Sequence, residues 1–177
     1  MKYIFLIIFT IFFIISCKTN YPEVGKDNLI FINYYNFYDD NEIVNTDSLI
    51  LFKTFRNDSV FFEYSRFRDT SSIYSFSKST YDNSLIKVCN EYLCPLLSSR
   101  NISVNGKNHI IRQYYYDDKK NIDEETIFFF NDNYGVLAEY SIKWSYFFSS
   151  IKYDEVSQIL FDSIINNKED LKRYIKR

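Results

Sequence analysis

The sequence predicts an α+β domain in which a curled, antiparallel, β-rich sheet is followed by a C-terminal amphipathic helix. Two observations predict the sheet. Most of the chain after residue 29 consists of short runs rich in Ile, Phe, Tyr and Val, and polar turns rather than helices separate these runs. A third observation predicts the helix, because apolar residues recur at helical spacing after Asp154.

The strand-like runs are each 3 to 9 residues long and end at turn signals. They cover residues 29–37, 49–56, 60–67, 72–77, 102–104, 109–116, 126–130 and 136–143. Polar residues 39–47 predict a loop. Asn105-Gly106 predicts a tight hairpin, because both turn residues then take positive φ. Gly135 is expected in the left-handed conformation of a longer turn.

Two further segments complete the domain. Residues 84–97 fit either a strand or one helical face, and Pro95 disfavours the continuation of either. Asp154 is a good helix N-cap, and the helix is expected to end near Asn166. No Gly- or Pro-rich linker divides residues 29–177, which therefore form a single globular domain.

The chain begins with a hydrophobic segment that follows Lys2 and runs from Tyr3 to Ile15. A helix that crosses the hydrocarbon layer needs about 20 apolar residues, so this segment is too short to span. Its length is typical of the core of a secretory signal. We therefore expect residues 1–16 to be a signal peptide that is removed.

The end of this segment, Ile14-Ile15-Ser16-Cys17, resembles the lipobox of bacterial lipoproteins. The resemblance is confined to the signal and does not extend into the domain. It implies cleavage before Cys17, a diacylglyceryl group on the Cys17 sulfur, and an acyl chain such as palmitate on the new amine. Two or three acyl chains anchor a protein stably without a spanning helix.

The resemblance also implies a location in the cell envelope. Residues 17–28 would be the lipidated cysteine and a short tether, and the membrane would be the first partner of the protein. In lipoproteins of well-studied envelopes, Asp after the cysteine retains the protein at the inner membrane. This chain has Lys18 there, which favours the periplasmic side of the outer membrane.

Composition excludes some classes of partner. The chain has 21 basic and 23 acidic residues and a formal net charge of −2, so it lacks the basic footprint of a nucleic-acid-binding protein. It also has 17 Tyr and 18 Phe. Abundant Ile, Asn, Lys, Phe and Tyr have A/T-rich codons, and this explains much of the aromatic excess without a selected binding surface.

The aromatic run that includes Trp144 and Tyr146 allows two interpretations. Trp144 is either a core anchor or, together with Tyr146, part of an exposed binding surface. We retain both residues as a candidate binding surface.

Cys89 and Cys94 are the candidate disulfide pair in an oxidising compartment. A bond requires Cα atoms within about 7 Å and hence a turn at residues 90–93. The alternative is two thiols packed in the core. Two Cys and one His do not complete a zinc site, and the spacing is not that of a thiol oxidoreductase.

No spacing points to catalysis. His109 is the only histidine, and no G-x-S-x-G elbow accompanies it. The acidic stretch from Asp117 to Glu125 lacks calcium-loop spacing and is interpreted as a solvated loop. We expect no cofactor, no metal and no enzymatic activity.

The functional expectation is a lipid-anchored, non-enzymatic binding or interaction module of the envelope. Its partner would be an unknown envelope protein, such as a toxin blocked by an immunity-type protein, or a small ligand. The alternatives are a carrier of an apolar ligand in a half-open β-barrel and, less favoured, an envelope hydrolase.

Overall fold

The computed structural model describes residues 29–36, 43–66, 72–119, 125–143, 146–152 and 154–167. Side chains are described from residue 47 onwards, except those of β10. Within these described ranges, ten strands precede one helix. The elements are β1 Leu29–Asn36, β2 Ile43–Arg56, β3 Ser59–Arg66, β4 Ser72–Ser79, β5 Leu85–Val88, β6 Tyr92–Val104, β7 Lys107–Tyr116, β8 Thr126–Asn131, β9 Gly135–Ser141, β10 Tyr146–Lys152 and α1 Glu155–Ile165.

All neighbouring strands are antiparallel and follow one another in chain order, and β1 pairs with β10 to close the sheet into a barrel. The predicted antiparallel sheet with a C-terminal helix is therefore confirmed. We call the end of the barrel at which β1 begins the upper end. The β2–β3, β6–β7 and β8–β9 turns lie at this upper end, and the β5–β6 turn lies at the lower end.

Turn chemistry explains the hairpins at the upper end. Asn105 and Gly106 have φ of 50° and 73°, as the Asn-Gly signal predicts for a two-residue turn. Gly135 has φ of 74°, which confirms the predicted left-handed conformation. A Cβ atom at Gly135 would lie 2.3 Å from the Tyr64 hydroxyl oxygen, so this glycine is also required by close packing.

The structure corrects one sequence-based assignment and resolves another that the sequence left open. Residues 43–47, predicted as part of a loop, belong to β2, because each pairs with β1 or continues the ladder. Residues 84–97 form β5 and the start of β6 rather than a helix. Pro95 is tolerated because it faces Leu85, the first residue of β5, where that ladder ends.

Helix α1 forms as the sequence predicts. The Asp154 carboxylate accepts a hydrogen bond from the Ser157 backbone N–H at 2.7 Å, which caps the first turn. Its buried face packs on the outside of the barrel. Leu160, Phe161 and Ile164 are at most 1% exposed there, and burying each such side chain contributes roughly 1.5–3 kcal/mol.

The barrel wall therefore separates two hydrophobic cores. The outer core lies under α1 and includes Ile111, Phe129 and Leu137. The inner core fills the described part of the barrel with aromatic rings, among them Phe62 and Phe130. Side chains alternate between the two cores along β7 and β8, which explains why these strands are apolar on both faces.

Candidate functional site

The structure leaves the two most prominent candidates of the sequence without a side-chain description. Cys17 and Trp144 lie outside the described residues. Tyr146 is the first residue of β10 and pairs with Asn36 at the lower end of the barrel, but its side chain is not described. Lipidation at Cys17 and the binding surface at Trp144 and Tyr146 stay predictions.

In the structure Cys89 and Cys94 are free thiols, which corresponds to the unbonded alternative rather than to the candidate disulfide. Cys89 is exposed in the β5–β6 turn with φ of 50°. Cys94 lies on β6, where it pairs with Ile86 of β5, and it is 0% exposed because it faces the interior of the barrel. The hairpin therefore directs the two thiols to different environments, and burial raises the pKa of Cys94 to about 12.

His109 lies on the outer side of β7, where its ring is 6.4 Å from that of Tyr134. Its Nδ1 atom is buried and makes no hydrogen bond to the described residues. Within the described ranges, no three His, Cys, Asp or Glu side chains converge in a way that could hold a metal ion.

Three cationic side chains converge on Asp132 at the upper end of the barrel. Asp132 accepts hydrogen bonds from Lys78 at 2.5 Å and Arg112 at 2.8 Å, and its backbone carbonyl accepts one from Lys53 at 2.5 Å. The Lys78 and Arg112 side chains are only 5% and 8% exposed. Burial raises the pKa of Asp132, but hydrogen bonds and charge from Lys78 and Arg112 outweigh it and hold the pKa below its ordinary value. This cluster ties the β8–β9 turn to β2, β4 and β7.

Five aromatic side chains form a continuous chain of ring contacts towards the lower end of the barrel interior. Phe76 contacts Tyr74 with ring centroids 5.4 Å apart and Phe128 with centroids 5.0 Å apart. Tyr116 contacts Phe128 at 6.1 Å and Tyr92 at 5.3 Å. We call these five residues the ring chain. Its two Phe residues are buried, whereas its three Tyr residues are partly exposed.

A carboxyl group lies at each end of the ring chain. Asp118 accepts a long hydrogen bond of 3.5 Å from the Tyr92 hydroxyl and is 7% exposed. Glu139 projects from β9 beside Phe128 and accepts a hydrogen bond from the Tyr74 hydroxyl. Burial raises the pKa of Glu139 to about 7, although the Tyr74 hydrogen bond opposes this shift.

Tyr64 connects the Glu139 end of the ring chain to the upper turn. Its ring stacks on Tyr74 at a centroid distance of 4.8 Å and an interplanar angle of 6°. Its hydroxyl accepts a hydrogen bond of 2.8 Å from the Val136 backbone N–H. Burial raises the pKa of Tyr64 well above its ordinary value; the Val136 bond opposes this shift and the nearby Glu139 charge adds to it.

Sequence reasoning missed both carboxyl groups. Asp118 lies in the acidic stretch interpreted as a solvated loop, yet it is buried. Glu139 was missed because the register shifts at Leu137, which faces the outer core together with Ala138. Strict alternation from Val136 would have put Glu139 on the outside, and the bulge turns it inwards. The run Tyr114-Tyr115-Tyr116, close to Asp118 in the sequence, was a signal that could have indicated aromatic rings at this end of the barrel.

A shallow groove of about 370 Å³ lies on the outer face of β3, β4 and β5. Serines 59, 77 and 79 form its floor, and Leu85 and Leu93 line one side. Leu93 is 59% exposed and Leu85 is 40% exposed. This groove offers a second, more superficial contact surface.

Comparison with models of known protein families, with curated proteins and with solved structures finds no match for this chain. The described part of the chain contains no helix that is both long enough and apolar enough to cross a membrane. The site must therefore be interpreted from its own chemistry.

Proposed function

We propose that the protein is a lipid-anchored, non-enzymatic binding protein of the bacterial cell envelope, and that it binds its ligand at the lower mouth of the barrel. The lipobox resemblance at Ile14-Ile15-Ser16-Cys17 supports the anchor. The single observation that carries the binding site is the ring chain, which presents three partly exposed tyrosines with a carboxyl group at each end.

Chain direction supports this orientation of the mouth. β1 runs from the upper to the lower end, so its first residue, Leu29, lies at the upper end. Twelve extended residues reach at most about 40 Å. An anchored domain would therefore be attached through its upper end, and the lower mouth would lie at the end further from the point of attachment.

The physical chemistry of the mouth favours binding over catalysis. Tyrosine supplies a large apolar face and a polar hydroxyl at little entropic cost, and it is enriched in binding surfaces. Two carboxyl groups are present in the mouth, but they lie at opposite ends of a chain of five rings. A pair of carboxylates that acts on one bond needs to face a common reacting atom.

Acyl labelling tests the anchor. Cells that express the wild-type protein are fed a fatty-acid analogue and compared with cells that express Cys17→Ala. We expect label and membrane fractionation for the wild-type protein only. Recovery of unlabelled, full-length wild-type protein would refute the proposed anchor.

Stabilisation by envelope extracts tests the binding site. The anchored protein is mixed with small-molecule and protein fractions of the envelope, and thermal unfolding is recorded. We expect a fraction that raises the melting temperature of the wild type and of Tyr81→Ala, an exposed control, but not of Tyr92→Ala. Loss of the effect in Leu93→Asp with retention in Tyr92→Ala would assign binding to the outer groove instead.

A further inference from the structure

Glu139 is placed among aromatic rings. Phe128 is its cross-strand neighbour on β8, Tyr74 of β4 donates a hydrogen bond to its carboxyl group, and the ring of Tyr64 stacks behind Tyr74. Part of the Glu139 residue is exposed, whereas its carboxyl group is buried enough for its pKa to rise.

A carboxylate in such surroundings needs a counter-charge or a proton, because the rings do not solvate negative charge. Among the described residues, both ion pairs are made by Asp132 at the upper end, and neither involves Glu139. The barrel therefore holds an acidic group in an aromatic environment, and no cation from the described residues pairs with it.

We propose that Glu139, Tyr74 and the adjoining rings bind the ammonium group of a small organic cation. This inference rests on the proposed function and names the chemical class of its ligand. Ring faces attract cations through their quadrupole, and the attraction is strongest where water is displaced. The carboxylate supplies the opposite charge, and the Tyr74 hydroxyl orients it.

The arrangement favours an organic cation over a metal ion. Calcium takes six to eight oxygen ligands, whereas the described side chains around this site offer one carboxyl group, one hydroxyl and hydrocarbon rings. A methylated or primary ammonium group needs few oxygen ligands and packs its apolar substituents against rings such as Phe128.

When the ammonium group binds, it takes the place of the proton on the Glu139 carboxyl group. Without ligand, the Glu139 carboxyl group holds a proton; when the ammonium group binds, this proton leaves to solvent and the carboxylate pairs with the cation. The titratable groups that face Glu139 from the described elements are Tyr64 and Tyr74, while β8 presents Phe128 and β7 presents Tyr114 and Tyr116. Burial raises the pKa of Tyr64 and Tyr114, so we assign the exchange to Glu139.

The test uses choline and its neutral isostere 3,3-dimethylbutan-1-ol as probes of the purified, full-length protein. Binding is followed by NMR shifts of the tyrosine rings and by calorimetry in buffers of different ionisation enthalpy. We expect choline to bind at least about tenfold more tightly than the isostere, since charge pairing and ring attraction together exceed about 1.4 kcal/mol. Because the pKa of Glu139 is about 7, we expect most of a proton to be released per choline below pH 7 and progressively less above it.

Matched variants separate the site from the fold. Glu139→Gln keeps the shape of the side chain and should abolish the preference for choline and the proton release. Tyr74→Phe should weaken choline binding. Glu63→Gln, on the outer face of β3, should behave as the wild type, because Phe62 and Tyr64 on either side of it face the interior.

The outcomes distinguish this inference from the proposed function. Equal binding of choline and the isostere, or choline binding that survives Glu139→Gln, would overturn the cation site and leave a mouth that binds neutral ligands. Absence of choline binding overturns it as well. If choline binds as expected while no envelope fraction stabilises the protein, the cation site stands and the proposed envelope role fails.

Discussion

Replacement of Gly135 by alanine probes the contact that joins the upper turn to the barrel interior. The new Cβ atom would lie 2.3 Å from the Tyr64 hydroxyl oxygen and 3.1 Å from Phe62 Cδ1. Both of those side chains are 0% exposed, so neither can swing away into solvent. Alanine at φ of 74° must also adopt the left-handed conformation.

The cost of this replacement has two parts. The left-handed conformation costs a residue with a Cβ atom roughly 1–2 kcal/mol. Displacement of Tyr64 breaks its hydrogen bond to the Val136 N–H, and burying those groups unpaired costs about 1–3 kcal/mol. We expect Gly135→Ala to lower the free energy of unfolding by about 2–5 kcal/mol and the melting temperature by roughly 5–20 °C.

Gly106→Ala is the matched control for this prediction. Its φ of 73° is nearly the same, but a Cβ atom there meets nothing within 4 Å, so only the conformational part applies. In urea unfolding, Gly135→Ala should have a clearly lower free energy of unfolding than Gly106→Ala. Addition of Tyr64→Phe, which removes the clashing oxygen, should recover part of the loss. Equal destabilisation by the two alanines, or no recovery with Tyr64→Phe, would refute the packing argument.

Three further predictions concern charges and thiols. Asp132→Asn should lower the free energy of unfolding by about 1–2 kcal/mol at neutral pH, because it leaves buried cations without a carboxylate. Since the pKa of Asp132 is lowered in the folded state, the wild type should lose this stabilisation as the pH falls below 3.8, which acid-unfolding curves measure. The pKa of Glu139 is raised from 4.5 to about 7, so between these pH values the folded state keeps a proton that the unfolded chain loses. Urea unfolding of the wild type should therefore show its free energy of unfolding falling by up to about 3 kcal/mol between pH 4.5 and 7. A flatter pH profile for Glu139→Gln would confirm the assignment. In Cys17→Ala, a thiol reagent should modify Cys89 in the folded protein and Cys94 only after denaturation; rapid double labelling of the folded protein would contradict the burial of Cys94.

The general architecture was predictable because local chemistry determines it. Asn105-Gly106 specifies its hairpin through the positive φ of two adjacent residues, and Asp154 specifies the start of α1 through one hydrogen bond. Both signals act within a few residues of the chain. The antiparallel meander follows, because strands joined by such short turns pair with their neighbours in sequence.

The site was not predictable in the same way, because it depends on register and on distant contacts. A single extra residue at Leu137 decides that Glu139 faces the interior, and no turn signal marks that bulge. Asp132 meets Lys78 across 54 residues of chain, and Lys53 across 79. Local patterns carry no information on which cation among 21 will reach a given carboxylate.

Tyr64 contacts both the β9 backbone near the upper turn and the aromatic residues next to Glu139. Its hydroxyl holds the β9 backbone at Val136, next to the turn that carries Asp132, while its ring stacks on Tyr74, which hydrogen-bonds to Glu139. The carboxyl group of Glu139 is therefore held by residues that are themselves fixed by packing, and little side-chain entropy remains to be lost on binding. A ligand at the lower mouth would meet a preorganised acid rather than a mobile one, and such binding would be a reason for a barrel to retain an acidic group that costs it stability as the pH rises from 4.5 to about 7.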